Sequence, residues 1–552
     1  MELDPIMEHR QREAEDLAQI LAERYKLGYV NLNAIIIKNT ALHLIDEDTA
    51  RRARVVVFDL SGHTASVAVQ TPNNPELHGI LEALKNHGFE TEVFLASEFG
   101  ILKALEVYKE TQHTTATSAG TLGVSEETIH KYSSVVKQIK DVTDALEEIK
   151  KQNSPHATSQ IAEVVMGCAV ALGISDIHIE PEEFSVRIRY RLDGILYDVA
   201  NISHDAYKKM LARLKLMSGI KLNVTAEAQD GRFTIHIGDT NIEVRVSIVP
   251  STYNQSVVMR LLNPKSINVP LEALGMDEVF YKIMLEEIAK PNGMIITTGP
   301  TGSGKTTTLY ATLKKLLDPE IKIITIEDPV EYHVTGIAQT QIDHSKGYDF
   351  AAGLRAAVRQ DPDVVMVGEI RDNETATVAV EAALTGHLVL STLHTNSAAG
   401  AIPRFIDIGV NPKILPSSLN FMIGQRLVRR LCPHCKEAYT PEGYEAEALA
   451  RELPEIVKYR PNLKYDGKLY RPKGCEECSG IGYKGRISIY EGIRMDRAIE
   501  EIIAKNPSEH EIVDAAKPQG LLSMRQDGIV KAINGVTALS EVADAVGLIE
   551  SR

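Results

Sequence analysis

Residues 299–308 read Gly-Pro-Thr-Gly-Ser-Gly-Lys-Thr-Thr-Thr, and they follow the apolar run Met294-Ile-Ile-Thr-Thr298. The stretch fits the phosphate-binding loop pattern G-x-x-x-x-G-K-[S/T], and the apolar run supplies the preceding strand that this pattern requires. The three glycines let backbone N–H groups turn inward around a polyphosphate, and the helix that begins near Lys305 adds its positive end. The sequence therefore predicts that the chain binds a nucleoside triphosphate.

Two side chains of this loop have predictable tasks. Lys305 is expected to reach the β- and γ-phosphates, and the hydroxyl of Thr306 is expected to ligate Mg²⁺. The predicted ATP-binding set consists of the loop and two carboxylates that follow the next strand: Gly299, Pro300, Thr301, Gly302, Ser303, Gly304, Lys305, Thr306, Thr307, Glu327 and Asp328.

Two acidic segments follow apolar runs downstream of the loop. Ile323–Ile326 is an apolar strand that ends in Glu327-Asp-Pro-Val-Glu331, and Asp363–Val367 leads to Gly-Glu369. Carboxylates at the C-terminal ends of strands lie at the crevice where ligands bind in α/β sheets. One carboxylate of the first segment could orient the attacking water, and Glu369 fits the Walker-B position that holds the Mg²⁺ water shell or polarises the nucleophile. The plainer alternatives are a surface acidic turn and a buried structural carboxylate.

A histidine follows a third strand of this region. The apolar residues Leu388–Leu390 lead to His394 through Ser-Thr-Leu. A single histidine is most often a structural residue whose hydrogen bonds are satisfied. Here the end of a strand brings the side chain toward the same crevice, so we expect His394 to sense the γ-phosphate.

The composition limits the class of protein. With 552 residues the chain is too long for one core, and its net charge of −15 argues against a protein that mainly holds DNA or RNA by neutralising phosphates. No apolar run approaches the length of a membrane span, and the N-terminus has no basic region followed by an apolar stretch. We therefore expect a cytoplasmic protein without direct membrane insertion.

Four of the five cysteines form two pairs, Cys432-Pro-His-Cys435 and Cys475-Glu-Glu-Cys478. Thiolates separated by two residues can bind one tetrahedral ion, and two such pairs complete a Cys₄ site. Four thiolates leave no open coordination position, which disfavours a catalytic zinc, and a cytoplasmic location disfavours disulfides. The sequence predicts a structural Zn²⁺ bound by Cys432, Cys435, Cys475 and Cys478.

The order of patterns along the chain predicts an α/β multidomain protein. Strands alternate with helices around the phosphate loop, so a parallel sheet is expected there. Val186–Leu192 alternates apolar residues with three arginines, as a half-buried strand does. The predicted segments are a small α/β N-terminal domain (1–110), a linker and charged helix (111–152), a second N-terminal domain (153–265), the core around the phosphate loop (266–430), the tetracysteine insertion (431–486) and a helical C-terminal part (487–552).

Together these motifs resemble the secretion-ATPase superfamily of type II secretion and type IV pilus machines. The matching stretches are GPTGSGKTTTLY (299–310), EDPVEY (327–332), LRAAVRQDPDVVMVGEIRD (354–372) and TGHLVLSTLHTNSA (385–398). Upstream, SDIHIEP (175–181) and QDGR (229–232) match the family's second N-terminal domain. The tetracysteine insertion and the extra N-terminal domain resemble the assembly (extension) branch, since the retraction branch lacks both.

The resemblance implies a RecA-like P-loop NTPase core preceded by a PAS-like α/β domain, and a homo-hexamer that binds ATP between these domains. It also implies that ATP hydrolysis powers polymerisation of pilin subunits into a type IV pilus, with assembly of a type II secretion pseudopilus as the alternative. The implied partners are an inner-membrane platform protein and pilus or secretion assembly proteins, with no nucleic acid. Through these partners the protein would associate with the inner face of the cytoplasmic membrane.

The family motifs also carry roles to particular residues. Glu331 matches the glutamate expected to activate water, and Glu369 matches the Walker-B glutamate. Four arginines match phosphate-contacting positions that would neutralise transition-state charge, with surface salt bridging as the alternative: Arg232, Arg245, Arg355 and Arg359. With Lys305 and His394, these residues form the predicted catalytic set.

One feature departs from the family, and one ligand of some members is not predicted. Asn254-Gln255 stands where the family usually has Gly-Glu, which removes a carboxylate, although Asn tolerates the positive φ of a turn. Some members bind cyclic di-GMP in the N-terminal domain through a motif that begins Arg-Leu-Gly. This chain has Lys26-Leu-Gly28 without a clear repeat of the remaining pattern, so that ligand is not predicted.

Two other functions are weighed against the assembly motor. A DNA-translocating ATPase is disfavoured by the acidic composition and the cysteine insertion, and stimulation of hydrolysis by DNA would favour it. A non-enzymatic nucleotide switch is disfavoured by the presence of Lys305, Glu331, Glu369 and His394. ATP turnover that is lost in Lys305→Ala would exclude the switch.

Overall fold

The computed structural model describes residues 5–33, 35, 39–42, 44–61, 64–86, 89–111, 132, 136–151, 157–237, 240–262 and 269–548. Residues 112–131, which contain most of the predicted linker and the start of the predicted charged helix, lie outside the described residues. The chain forms two compact units, one built on the N-terminal region and the other on nearly all of the rest. None of the described helices has the length and apolar content that crossing a membrane requires.

The first unit combines a small sheet with helices. Its described strands are β1 (Gly28–Tyr29), β2 (Val55–Ser61), β3 (Thr64–Val69) and β4 (Glu90–Leu95). Their spatial order is β1-β4-β3-β2; among these described pairs β2 and β3 are antiparallel and the others are parallel. The helices are α1 (Pro5–Tyr25), α2 (Asn39–Leu42), α3 (Glu47–Ala53), α4 (Leu77–Asn86) and α5 (Glu98–Thr111). Val55, Val56 and Val57 are fully buried, as β-branched residues are when they pack on a covered sheet.

The second unit begins with two helices and an antiparallel sheet. The helices are α6 (Ile139–Lys151) and α7 (Ala157–Ala171). The strands are β5 (Asp176–Pro181), β6 (Val186–Leu192), β7 (Ile195–Ile202), β8 (Gln229–Ile237), β9 (Thr240–Ser251) and β10 (Asn254–Leu262), with α8 (His204–Met217) between β7 and β8. Within the described residues the spatial order is β7-β6-β5-β10-β9-β8.

The alternation predicted for Val186–Leu192 is confirmed, because Val186, Ile188 and Tyr190 are buried while the intervening arginines are partly exposed.

The largest sheet surrounds the phosphate loop. Its described strands are β11 (Gly293–Thr298), β12 (Ile323–Glu327), β13 (Ala338–Gln341), β14 (Val364–Val367), β15 (Leu388–Leu393), β16 (Leu419–Leu431) and β19 (Tyr483–Arg494). Between β16 and β19 in the chain, β17 (Glu437–Tyr439) and β18 (Leu469–Arg471) form a separate two-stranded sheet. The spatial order is β13-β12-β14-β15-β11-β16-β19. All neighbouring pairs are parallel up to β16, and β19 is antiparallel to β16. The predicted parallel sheet is therefore present, with an antiparallel strand at its edge.

Helices cover both faces of this sheet. They are α9 (Glu278–Ile288), α10 (Lys305–Leu316), α11 (Phe350–Val358), α12 (Asn373–Leu384), α13 (Ala401–Asp407) and α14 (Leu415–Ser418). One core contains side chains of α9 and α10, and the other contains side chains of α11, α12 and α13. Every residue of β11, β14 and β15 is buried, which is why these strands are continuous apolar runs in the sequence.

The cysteine-bearing segment connects two neighbouring strands. β16 and β19 form a long antiparallel pair, and the chain between them contains β17, α15 (Gly443–Tyr459) and β18. After β19 the chain continues as α16 (Arg497–Ile503), α17 (Glu509–Ala516), α18 (Met524–Ile533) and α19 (Leu539–Val546). β19 extends to Arg494, so residues 487–494, which were expected to be helical, form a strand.

Candidate nucleotide site and cysteine cluster

The phosphate loop has the backbone that its glycines allow. Gly299, Gly302 and Gly304 have φ values of 144°, 81° and 91°, which residues with a side chain rarely adopt. A Cβ built on Gly299 would also lie 2.7 Å from the carbonyl oxygen of Gln425. The loop leads directly into α10 at Lys305, so the strand–loop–helix context predicted from the sequence is confirmed.

Lys305 lies over its own loop. Its Nζ donates hydrogen bonds to the carbonyl oxygens of Gly299 at 2.7 Å and Pro300 at 3.2 Å. Burial lowers the pKa of Lys305, while the nearby Glu369 carboxylate opposes that shift. The neighbouring Ser303 hydroxyl is buried and has no hydrogen-bond partner in the described part of the chain. A cation and an unpaired hydroxyl thus lie together at a loop suited to phosphate.

A cavity of about 530 Å³ opens beside the loop. Its lining brings together most of the residues predicted from separate motifs: Thr301, Gly302, Ser303, Gly304, Lys305, Thr306, Thr307, Glu327, Asp328, Glu331, Glu369 and His394. The second N-terminal sheet contributes to the same cavity through Arg260, Leu261 and Leu262. The convergence expected at the C-terminal ends of the parallel strands is therefore observed.

Glu327 differs from the other carboxylates of the cavity because it is buried in a polar network. The hydroxyls of Tyr310 and Thr325 donate to its two oxygens, and Gln339 Nε2 donates to one of them at 3.2 Å. Tyr310 has a raised pKa because it is buried and hydrogen-bonded to Glu327. The carboxylate of Glu327 thus holds α10 and β13 against the end of β12.

Glu331 is one third exposed and faces an arginine of the second N-terminal sheet. Arg245 on β9 approaches both carboxylate oxygens of Glu331, at 3.4 Å from Nη1 and 3.3 Å from Nη2. Arg245 Nη2 also donates to the carbonyl oxygen of Val330 at 3.3 Å. The acidic segment after β12 is therefore joined to β9 by a charged pair.

Glu369 is bound from two sides. Nη2 of Arg371 lies 2.6 Å from one of its oxygens, and His394 Nε2 lies 3.2 Å from the other. Its side chain is 14% exposed, whereas that of His394 is 48% exposed. The predicted Walker-B glutamate and the predicted histidine are thus in direct contact at the rim of the cavity.

The predicted arginines separate into two groups. Arg232 and Arg245 line a second cavity of about 590 Å³, which shares Arg260 and Pro329 with the first. Arg355 and Arg359 are exposed, and neither lines either of these two cavities. Arg355 pairs with Glu374 at 2.9 Å. Within one described chain, Arg355 and Arg359 are therefore not brought to the phosphate loop.

Three further arginines line the first cavity and were not among the predicted site residues: Arg260, Arg371 and Arg486. Arg371 carries a local signal, because it stands two residues after the Walker-B glutamate. Arg260 pairs with Asp176 across the sheet at 2.9 Å, and Arg486 belongs to β19. No local pattern identifies the last two, because the approach of Arg260 depends on how the second N-terminal sheet packs and that of Arg486 on the pairing of β19 with β16.

The turn that departs from the family is ordered by its own residues. Asn254 has a φ of 150°, and the buried Gln255 side chain donates from Nε2 to the carbonyl oxygen of Thr225 at 3.3 Å. An ionised glutamate could not donate this hydrogen bond. The amide at position 255 therefore suits its surroundings, which contain backbone acceptors.

The four paired cysteines converge on one point. Their sulfur atoms all lie within 4.8 Å of one another, with separations of 3.8 Å for Cys432–Cys475 and 3.7 Å for both Cys435–Cys478 and Cys475–Cys478. A regular tetrahedron with metal–sulfur distances of about 2.3 Å has edges of about 3.8 Å. The backbone N–H of Gly482 also donates to the sulfur of Cys478 at 3.1 Å. The cluster is consistent with zinc.

A family model described as "Type II/IV secretion system protein" matches residues 151–544. The chain belongs to this secretion-ATPase family. A second model, described as "MshEN domain", matches residues 25–115. The family membership predicted from the four motifs is thus confirmed.

Curated relatives of this secretion ATPase cover most of the chain. The type IV pilus assembly ATPase PilB of Myxococcus xanthus is 35% identical over 531 residues, which is 96% of this chain and 91% of that protein. The type II secretion system protein E of Pseudomonas aeruginosa is 43% identical over 402 residues, 73% of this chain and 78% of that protein. The secretion ATPase described here is therefore an ATP hydrolase of the pilus-assembly or type II secretion kind.

A solved structure also supports the fold of this secretion ATPase. The Yersinia pseudotuberculosis ATPase DotB matches with a TM-score of 0.50 at 18% identity, covering 71% of this chain and 94% of that one. At this identity the comparison supports the fold alone.

Proposed function

We propose that this chain is the motor that powers polymerisation of pilin subunits into a type IV pilus. The observation that carries the choice is the extent of similarity, because the PilB relatives align with 95–98% of the chain. The alternative is assembly of a type II secretion pseudopilus. It is favoured by the higher identity of those relatives, 43–45%, over 67–73% of the chain.

The proposed architecture follows the sequence prediction. We assign a RecA-like core to residues 266–430, a PAS-like domain to 153–265 and a partner-docking domain to 1–110. We keep the other predicted boundaries, except that β19 (Tyr483–Arg494) belongs to the core sheet and the helical C-terminal part follows it. The motor would work as a cytoplasmic homo-hexamer on the inner face of the membrane. Its partners would be an inner-membrane platform protein and pilus assembly proteins, with no nucleic acid.

The roles of the site residues follow from their positions around the cavity. Lys305, which holds two loop carbonyls in this structure, would exchange them for phosphate oxygens of ATP. Glu331 would accept a proton from the attacking water, and Arg245, beside it, would neutralise phosphate charge. His394 and Arg371 hold the two oxygens of Glu369 and would keep that carboxylate directed at the γ-phosphate side of the cavity.

Mg²⁺ fits this donor set. The hydroxyl of Thr306 lies at the start of α10 and lines the cavity together with Glu369 and Asp328, so hard oxygen ligands are available there. When bound, Mg²⁺ would neutralise charge on the phosphates of the substrate. The cysteine cluster would hold Zn²⁺ in a structural role, because all four of its ligand positions come from the protein.

The test replaces the chromosomal gene with a Lys305→Ala allele. Surface fibres are counted by electron microscopy, and secreted protein is assayed in the same cultures. Lys315→Ala serves as the matched control, because Lys315 lies on the same helix and forms a surface pair with Glu272. Loss of fibres with normal secretion in Lys305→Ala alone would support the pilus motor.

Normal fibres with lost secretion would assign the protein to type II secretion. No change in either assay would overturn the assembly-motor proposal. The purified unmodified protein should turn over ATP and Lys305→Ala should not, a difference that separates a motor from a non-enzymatic nucleotide switch. Hydrolysis that DNA strongly stimulates would instead favour a DNA-translocating ATPase.

A further inference from the structure

The loop that follows His394 is held at three consecutive residues by charged side chains from later in the chain. Arg426 on β16 donates from Nη2 to the carbonyl oxygen of Asn396 at 2.8 Å. The hydroxyl of Ser397 donates to Glu509 at 2.7 Å, and the backbone N–H of Ala398 donates to Glu491 at 2.7 Å. These contacts fix the course of the backbone directly after the histidine.

Glu491 reaches Ala398 across a gap left by a glycine. Glu491 lies on β19 opposite Gly424 of β16. A Cβ built on Gly424 would lie 2.7 Å from Oε1 of Glu491 and 3.0 Å from the backbone nitrogen of Ala398. Such distances are shorter than van der Waals contact, so any side chain at position 424 would displace the carboxylate. The absence of a side chain there thus opens the path for this hydrogen bond.

The held loop lies between the main parts of the nucleotide site. At one end, His394 Nε2 is 3.2 Å from Glu369. At the other end, Thr298, the last residue before the phosphate loop, donates to the carbonyl oxygen of Ser397 at 3.0 Å. A shift of this loop would therefore move His394 relative to both Glu369 and the phosphate loop.

We propose that Glu491 is a positioning residue for ATP hydrolysis. It accepts the N–H of Ala398 and thereby holds His394 against Glu369, without itself touching the substrate. The proposal rests on the role of His394 given above. It also connects the strand that leads to the C-terminal helices with the chemistry, because β19 carries this contact.

The experiment measures kcat and KM for ATP, together with the melting temperature, in the full-length protein. Glu491→Ala removes the acceptor, and we expect kcat to fall about tenfold to a hundredfold because the histidine is misplaced, while KM changes little. Glu491→Gln keeps an acceptor oxygen at the same reach and should retain most of the activity. Glu491→Asp keeps the charge but is one methylene shorter, and it should be slow.

Coupling to the histidine is tested with the double variant. If Glu491 acts through His394, His394→Ala with Glu491→Ala should have the kcat of His394→Ala alone. If kcat is low in His394→Ala but normal in Glu491→Ala, the positioning role is overturned and the function of His394 is left intact. The same conclusion follows if the two losses in kcat multiply in the double variant. A normal His394→Ala would overturn the histidine's own role and the inference with it.

Should Glu491→Ala not fold, the Gln and Asp variants decide the question. An active Gln variant with a slow Asp variant supports positioning by a hydrogen bond. The reverse order would show that charge matters instead and would overturn the proposal. Glu501→Ala, at an exposed glutamate in α16, is the matched control and should behave like the unmodified protein.

Discussion

Glu327, Glu331 and Glu369 line the same cavity, but their surroundings give them different capacities. Three side-chain donors hydrogen-bond the buried Glu327, whereas Glu331 is partly exposed and faces an arginine. Glu369 shares its oxygens between Arg371 and His394. The same functional group thus serves as a structural acceptor in one place and as a candidate for proton transfer or ligand binding in the others.

These surroundings predict opposite results for two alanine variants. Glu331→Ala should lower kcat by about 10² to 10⁴, the usual contribution of a general base, with little change in melting temperature because the side chain is near the surface. Glu327→Ala should lower the melting temperature, since it leaves the hydroxyls of Tyr310 and Thr325 without their acceptor at a cost of about 1–3 kcal/mol for each buried group, while Gln339 keeps the carbonyl oxygen of Tyr332. Steady-state ATPase assays and thermal unfolding of both proteins provide the comparison.

A Glu331→Ala protein that turns over ATP at the normal rate would remove this residue from the mechanism. Glu501→Ala is a suitable control for loss of a surface carboxylate, because Glu501 is exposed and pairs with Arg497 within α16. That variant should keep its melting temperature, since surface ion pairs contribute little to stability.

At the residue scale, local patterns predicted the site where function depends on strand ends. Lys305, Glu369 and His394 each follow an apolar strand, and parallel strands bring their C-terminal ends to one edge. Arg260 and Arg486 could not be found in this way. Arg260 comes from the antiparallel sheet and Arg486 from β19, so their positions depend on packing between elements that are distant in sequence.

At the scale of elements, the β16–β19 hairpin was the least predictable part of the core. The four buried strands β11, β12, β14 and β15 are recognisable because continuous apolar runs indicate coverage on both faces. β19 begins immediately after the Gly-rich cysteine segment and contains charged residues, so its sequence lacks such a run. Its pairing with β16 supplies what the local pattern does not.

The cysteine cluster predicts a metal-dependent element. Cys475→Ser should abolish stoichiometric zinc binding and allow proteases to cleave in the two loops that carry the cysteines, residues 432–435 and 475–482, because these loops would lose the ion that joins them. Cleavage should spare α15, whose Leu449 and Ile456 are buried in a core shared with the C-terminal helices. Zinc content is measured by inductively coupled plasma mass spectrometry, and cleavage sites are mapped on the purified protein. A strong chelator should produce the same cleavage in the unmodified protein.

Cys168→Ala provides the matched control for this element. Cys168 is buried in α7, and burial raises its thiol pKa to about 12, so it is expected to remain a neutral thiol. The variant should bind zinc like the unmodified protein. Zinc binding that persists in Cys475→Ser would contradict the tetracysteine site.

On the scale of the whole molecule, the arginines provide a test of assembly. Arg355 and Arg359 do not line either described cavity of their own chain, although both match phosphate-contacting positions of the family. If they contact phosphate, they must do so at the site of a neighbouring subunit. Oligomers mixed from Arg359→Ala and Lys305→Ala subunits should then have a higher ATPase activity than the mean of the two unmixed variant proteins, called the parents below.

Recovery is expected because some interfaces in a mixed oligomer combine an intact loop with an intact arginine. Subunit exchange is verified by native mass spectrometry. Mixtures of Arg245→Ala and Lys305→Ala form the control and should show no recovery, since Arg245 approaches Glu331 within the same chain. Activity equal to the mean of the parents, despite verified exchange, would exclude action of Arg359 between subunits.

The position of the cysteines beside β16 and β19 has a consequence for the register of these two strands. Cys432 directly follows β16 and donates its N–H to the carbonyl oxygen of Gly482, which directly precedes β19. A slip of one residue between these strands would turn the side chains of one strand to the opposite face. The native register is the one in which the four sulfur atoms meet. An ion held by all four thiolates would therefore stabilise this register relative to a slipped one, since a ligand that binds the native state preferentially raises its stability.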